Sequence, residues 1–263
     1  MLVYYEVIKI NIKNLLVYRL DTAIGILGNI FSLFVQIYLW TALFHQNEIA
    51  ELSLNEMITY QVFGILLGTL YNGGAAWIVG QQVRDGSIAM ELIKPYNYSL
   101  SNLAASLASS LTDFVLKGLP VLVLAILTQK PFLPDLHFWK VLLLMAVILC
   151  NIVLFWLMHF MIGLLHFSLI NAGWFSRILA DVIRILGGGI IPLWFFPGTL
   201  RSIFQYLPFQ LLYQFPQSIL INKITNYEIA RNGILLLGWT GLIMVIVIYM
   251  WRMNIKKLVV QGG

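Results

Sequence analysis

Residues 141–176 read VLLLMAVILCNIVLFWLMHFMIGLLHFSLINAGWFS, with no Asp, Glu, Lys or Arg over 36 consecutive positions. A membrane helix needs about 20 apolar residues, so this run exceeds one crossing. The spacing predicts a span over 141–165 and a polar turn at Ser168, Asn171 and Gly173. The same criterion, carried outward, marks spans at 22–44 and 57–82, separated by an acidic loop holding Glu48, Glu51 and Glu56. One long helix at 103–128 carries Asp113 and Lys117 inside it, and further spans fall at 177–198 and at 232–251, between Arg231 and Arg252.

Composition agrees with a bilayer. Of the 263 residues, 60% are hydrophobic and 10% charged, against roughly 45–50% and about 25% in globular proteins. Such a chain is neither disordered nor built on disulfides: it has one cysteine, Cys150, within an apolar run. It also has too few charges for the surface of a soluble enzyme. The sixteen basic residues against eleven acidic ones give +5, but they are scattered, which argues against nucleic acid as a partner. The expected fold is an all-α integral membrane protein forming a single transmembrane domain over 1–263.

Two stretches need separate treatment. Residues 199–231 contain an uncharged core at 202–222 with Gln205, Pro208, Gln210, Gln214, Pro216, Gln217 and Asn222. Lipid-facing helix rarely carries so many amides, since unpaired polar groups in hydrocarbon are costly. An outer re-entrant hairpin before the last span is the expectation, giving six spans rather than seven. With six, both termini, the 84–94 loop and the 166–184 region share one side and hold ten Lys and Arg; the other side holds five. That asymmetry places the richer side in the cytoplasm. Residues 1–20 carry Glu6, Lys9 and Lys13 on one helical face. They suit a helix lying in the interface against anionic lipid, or a cytoplasmic extension of the first span, and no signal-peptide cleavage site follows.

The most informative loop is Gln81-Gln82-Val83-Arg84-Asp85-Gly86-Ser87-Ile88-Ala89-Met90-Glu91-Leu92-Ile93-Lys94-Pro95. Asp85-Gly86 supplies a turn, Ser87 a helix cap and Pro95 a stop, so 84–95 becomes one or two helical turns. Read alone, it is either a peg for a soluble partner or a solvated connector.

Its pattern of Arg, acidic residue, Gly-Ser and Glu-Leu-Ile-Lys-Pro resembles the first cytoplasmic loop of the ABC-type exporter permeases of the type-2 class. A second likeness, to an uncharacterised branch of that class, runs from Gly187-Gly188-Gly189-Ile190-Ile191-Pro192-Leu193-Trp194-Phe195-Phe196-Pro197 to Leu207-Pro208-Phe209. The six-span plan extends it over the whole chain. The resemblance implies an ATP-driven exporter in a prokaryotic inner or plasma membrane. Arg84, Asp85, Gly86, Ser87, Glu91 and Lys94 become its ATPase-docking surface, the coupling helix. It also implies a second permease subunit, as a homo- or heterodimer. Gln81 or Gln82 stands where members of the class often have Glu. The chain has no Gly-x-x-x-x-Gly-Lys-Ser/Thr loop, so no cofactor is expected on it, with ATP and Mg on separate ABC ATPase subunits. The permease itself is expected to be non-catalytic.

Other residues leave alternatives open. Asp113 and Lys117, four apart, share a helical face and can pair, either on a translocation pathway or as helix packing. A proton- or ion-coupled carrier built on that pair is the rival function. Arg177, Asp181 and Arg184 form a second cluster, in which Asp181 can bridge both arginines. Gly64, Gly68, Asn72, Ala76 and Gly80 recur every four residues, as at close helix contacts. His159 and His166, about 10.5 Å apart along a helix axis, raise a haem or metal reading that needs further ligands from another span. Phe195, Phe196, Gln205, Gln210 and Gln214 are expected to form an outer lid over a cleft. Its aromatic and amide character suits an amphipathic cargo.

Overall fold

The computed structural model describes residues 19–46, 52–71, 74–128, 136–169 and 172–256. The expected interfacial helix at 1–20 therefore falls outside the described residues, apart from its last two positions, which open the first helix. Every regular element among the described residues is helical. In chain order they are α1 (Arg19–Gln46), α2 (Leu54–Leu70), α3 (Gly74–Arg84), α4 (Ile88–Ile93), α5 (Tyr98–Asp113), a π-helical turn (Phe114–Gly118), α6 (Leu119–Thr128), α7 (Phe138–Leu165), α8 (Gly173–Leu186), α9 (Gly198–Phe204), α10 (Pro208–Leu212), α11 (Gln214–Leu220) and α12 (Asn226–Ile255).

Among the described residues, five helical stretches are long and apolar enough to cross a membrane: Leu20–His45, Leu54–Arg84, Tyr98–Thr128, Phe138–Leu165 and Asn226–Ile255. Their surfaces are inverted relative to a soluble protein. Leu20, Ile24, Leu27, Phe31 and Tyr38 of α1 and Ile234, Leu237, Val245 and Tyr249 of α12 are exposed, whereas Gln61, Asn102, Asn151, Gln210 and Gln217 are buried. The amides clamp helices together: Asn151 donates to the Leu211 carbonyl at 2.7 Å, and Trp156 donates to Asn102 at 2.9 Å. Inside a bilayer, where apolar contact gives no advantage over lipid, such bonds and close packing hold helices in register.

Three helices depart from the expectation. The second stretch is broken: α2 ends at Leu70, Tyr71 is non-helical with ψ 78°, and α3 starts at Gly74. Tertiary contacts fix the break, since the Tyr71 hydroxyl donates to the Leu212 carbonyl at 2.6 Å and its ring stacks on Phe155. The halves serve different neighbours. Ile58, Val62 and Leu66 of α2 pack with Leu33 and Ile37 of α1 and Val121 and Ala125 of α6, while Ala75 and Val79 of α3 join the core around α7.

The long third stretch is continuous from Tyr98 but widens into the π-helical turn, where Leu119 N–H bonds to the Phe114 carbonyl. Pro120 follows. Its ring would crowd the Leu116 carbonyl of a regular α-helix, and the widened turn lies where that clash would fall.

The span expected at 177–198 is not one helix. α8 ends at Leu186 after 14 residues, about 21 Å at 1.5 Å per residue, and the chain turns through Gly187-Gly188-Gly189. A side chain at Gly187 would meet the Ile183 carbonyl oxygen at 2.2 Å, and Gly188 has φ +84°. Only glycine accommodates both demands. Beyond the turn, α9, α10 and α11 are short and fold back against the bundle, with α10 and α11 largely buried.

Candidate functional site: a docking loop and a polar cleft

The 84–94 loop is self-contained. Gly86 has φ +76°, and the Asp85 carboxylate accepts from Ser87 N–H at 3.0 Å and from Ser87 Oγ at 2.6 Å. Ser87 therefore does not cap α4 as the sequence suggests; its hydroxyl is turned back to Asp85, and its backbone is already helical. These bonds from Ser87 hold the Asp85 carboxyl below the ordinary aspartate range.

At the other end of α4, Lys94 Nζ pairs with Glu91 at 2.5 Å, and the Tyr96 hydroxyl also donates to Glu91. Partial burial pushes the Glu91 carboxyl up, but these two donors outweigh it and its pKa lies below the ordinary value. Lys94 is correspondingly raised by its bond to Glu91. Ile88 is buried and anchors α4, while Met90 and Ile93, three apart, are 66% and 78% exposed. Arg84, Asp85, Gly86 and Lys94 are exposed; Ser87 and Glu91 are partly covered. Gln82, at one of the two positions where Glu is common, accepts from the Tyr98 hydroxyl at 2.5 Å. It braces the loop to α5.

A polar cleft of about 580 Å³ opens between α1, α2, the π-helical turn, α7 and α8. One wall is a stripe on α1: Asp21, Gly25, Asn29, Ser32 and Gln36, at spacings of four, four, three and four, hence one helical face. Sequence reading missed this stripe, although its periodicity within an apolar span was visible. Gln61, Gly64, Gly68 and Thr69 of α2 face it, with Arg184 from α8.

Asp113, just before the π-helical turn, and Lys117, within it, pair at 2.7 Å and line the same cleft. The Lys117 stem lies against Gly25, where an added Cβ would come within 3.1 Å of its Cδ and Cε. The pair thus lines the cleft, and Lys117 packs the π-helical turn against α1 at once.

Part of the glycine repeat packs closely. A Cβ at Gly64 would meet the Gln217 amide at 2.7 Å, and one at Gly80 would meet the His166 ring at 2.7 Å; Asn72 lies outside the described residues. Asp181 makes no ion pair among the described residues. Arg177 instead lies over the Trp174 ring, at 5.9 Å, and Arg184 turns to the cleft.

His159 and His166 line a second cleft of about 690 Å³ with Arg84 and Arg177. Each ring Nδ1 contacts a carbonyl of its own helix, Phe155 at 3.1 Å and Gly163 at 3.2 Å. Tyr71, Phe155 and Ala180 line both clefts.

The five residues expected at the outer lid split into two groups. Gln205, Gln210 and Gln214 line one cavity at the end of the bundle opposite the 84–94 loop. Gln214 accepts from the Tyr60 hydroxyl at 2.6 Å and from Leu193 N–H at 3.1 Å, and Gln210 bonds to the Gln205 carbonyl and to Asn232. Phe195 packs against Trp40, and Phe196 against Phe204.

With five bilayer-length helical stretches, an inverted surface and a self-locked polar loop established, the family comparison is decisive. The model of the ABC-2 family transporter protein matches residues 2–262. The chain belongs to the ABC-2 transporter family. Comparison with curated proteins gives no match. Membership makes this a multi-pass membrane protein and an ABC-2 type permease, a component of membrane transport.

Proposed function

We propose that this ABC-2 permease exports an amphipathic or hydrophobic cargo, driven by ATP hydrolysis on separate ABC ATPase subunits that carry the ATP and Mg. Two permease subunits would pair to complete the pathway. The reading rests foremost on the 84–94 loop. Its carboxylates are held internally, Asp85 by Ser87 and Glu91 by Lys94, while Arg84 stays exposed and Met90 and Ile93 project as exposed apolar side chains. A rigid peg with two apolar side chains three residues apart suits insertion into a partner's groove.

In this reading the loop and both termini face the cytoplasm of a prokaryotic cell, in keeping with ten basic residues on that side against five. The chain crosses six times. α8 spans about 21 Å of a hydrocarbon core of about 30 Å, and the Gly187–Phe195 segment supplies the remaining depth before the re-entrant helices α9–α11. ATP-driven closure of the ATPases would push the peg and tilt α2 and α3 about the break at Tyr71, moving the polar cleft between inward and outward access. The cleft offers cargo polar side chains on α1 and α2 beside Ile65, Phe155 and Ile183, the mixed chemistry an amphipath needs.

The test is reconstitution of the permease with its ATPase in vesicles, comparing wild type with Glu91→Lys. Removing the acceptor of Lys94 and Tyr96 is expected to leave ATP hydrolysis while abolishing transport. Unchanged transport would refute the docking role, and transport without any ATPase would favour a carrier using Asp113 and Lys117.

A further inference from the structure

The second cleft, of about 690 Å³, lies between α3, α7 and α8, and its lining changes character along its length. At the 84–94 end stand Arg84, the last residue of α3, His166, which follows the last residue of α7, and Arg177, near the start of α8. The inner end is formed by Tyr71, Ala76, Phe155 and Ala180. Phe155 precedes His166 on α7 by about 16 Å along the axis, and Trp77 precedes Arg84 on α3 by about 10.5 Å. His159 lies between the two ends, its ring stacked on Phe155.

The outer end is cationic. Among the described residues no carboxylate lines the cleft, and neither guanidinium makes a side-chain hydrogen bond or ion pair; Arg177 lies over the Trp174 ring at 5.9 Å. Two carboxylates stand nearby. Asp85, next to Arg84, accepts two bonds from Ser87, and Asp181, one turn beyond Arg177, is outside the lining. The acceptors on the walls, the Tyr71 and Ser176 hydroxyls and the histidine ring nitrogens, carry no negative charge.

Guanidinium forks match carboxylates and phosphates, and the volume falls within the roughly 300–1,000 Å³ of small-molecule sites. The adjoining polar cleft is different, because Asp21 and Asp113 line it together with Lys117 and Arg184. Its charges cancel, so it does not select by sign. The two clefts meet at Tyr71, Phe155 and Ala180.

We infer that the second cleft binds an acidic amphipath, a molecule with one carboxylate or phosphate on an apolar body. Arg84 and Arg177 hold the acidic head, and the body lies along Trp77 toward Phe155. The place of this site on the cargo route rests on the export reading above; the binding chemistry does not. On that route the sign of the cargo is selected here, ahead of the charge-balanced cleft. A resident acidic membrane lipid has the same chemistry, and the test separates the two.

Radiolabelled laurate is bound to purified full-length permease in neutral detergent, without ATPase, at a mildly alkaline pH that keeps it ionised. Acetate, the head without the chain, and dodecyltrimethylammonium, a similar chain with the opposite charge, compete for the site. Each is expected to displace laurate at least about tenfold less well than unlabelled laurate does. Arg177→Gln is expected to weaken laurate binding about tenfold, and Arg177→Lys to lose less. Arg84→Gln, on another helix, repeats the measurement. Equal displacement by either competitor, or unchanged affinity in both Gln variants, would overturn the site. Thermal unfolding of Arg177→Gln, which gives up its place over Trp174 and no hydrogen bond, separates lost binding from a lost fold. In vesicles with the ATPase, laurate-stimulated ATP hydrolysis in wild type but not in Arg177→Gln assigns the ligand to cargo. Arginine-dependent binding without stimulation assigns the cleft to a resident acidic lipid; the cargo reading then fails and the site stands.

Discussion

The two ends of the bundle solve the same problem in opposite ways. At the 84–94 end, the two carboxylates find partners within a few residues, as in Asp85–Ser87 and Glu91–Lys94, and Met90 and Ile93 stand exposed beside Arg84 and Lys94. At the other end, Arg201, Lys223 and Arg231 come from separate elements to line one cavity together with Glu228 and the amides of Gln205, Gln210 and Gln214. A locally satisfied turn keeps its shape by itself and offers a fixed apolar surface. A cavity assembled from separate elements keeps its shape only while those elements stay packed together.

The sharpest way to break this contrast is to make the apolar tip polar. Ile93→Asp is expected to lower ATP-dependent transport about 30-fold or more, the loss typical of a buried anchor of about 2 kcal/mol. Since the residue is exposed within the subunit, thermal unfolding of the isolated permease should not change. A shift in unfolding without loss of transport would make Ile93 an internal packing residue.

Between the two ends, the Asp113–Lys117 pair is the next target. Asp113→Asn leaves Lys117 without its carboxylate partner at 2.7 Å and is expected to reduce transport about tenfold, roughly 1.4 kcal/mol. The double variant Asp113→Asn, Lys117→Met discriminates its roles. Recovery of transport identifies a packing pair, whereas continued loss identifies groups that meet cargo.

At the cavity end, Gln210→Ala removes a buried amide that bridges the Gln205 carbonyl and Asn232. The expected cost is about 1–3 kcal/mol in stability, read as a lower unfolding midpoint in detergent, with ATPase coupling per folded molecule retained.

The smallest effect is one of pH. Glu91 has a depressed pKa, so the order it gives the loop is present above the ordinary glutamate value of 4.5 and is lost as pH falls through its lower folded value. Amide exchange within 88–94 should therefore accelerate in that acid range alone, and Glu91→Gln should abolish the pH dependence.

What could be read without coordinates follows from the range of each signal. Continuous apolar runs mark the stretches in which α1, α7 and α12 lie, because helix length and lipid thickness are both local constraints. The Asp85-Gly86 turn and the Pro95 stop were legible for the same reason, though the competition that draws Ser87 to Asp85 rather than to the α4 backbone was not. The Tyr71 break escaped, since the residues that fix it, Leu212 and Phe155, lie far along the chain. The end of α8 at Leu186 depends likewise on the Phe209 backbone, which a Cβ at Gly187 would strike at 2.6 Å.

By itself, then, the sequence determined that this protein lives in a bilayer, which stretches are helical and where a polar turn interrupts them, all consequences of hydropathy and turn chemistry within a few residues. Only the tertiary structure decided that α1 turns its polar stripe toward Asp113 and Lys117, that α2 and α3 serve different neighbours, and that Arg201, Lys223 and Arg231 meet around one cavity. Those are juxtapositions across tens of residues. They depend on which helix faces pack together, a choice made by close contact and amide bonding between segments that no local periodicity encodes.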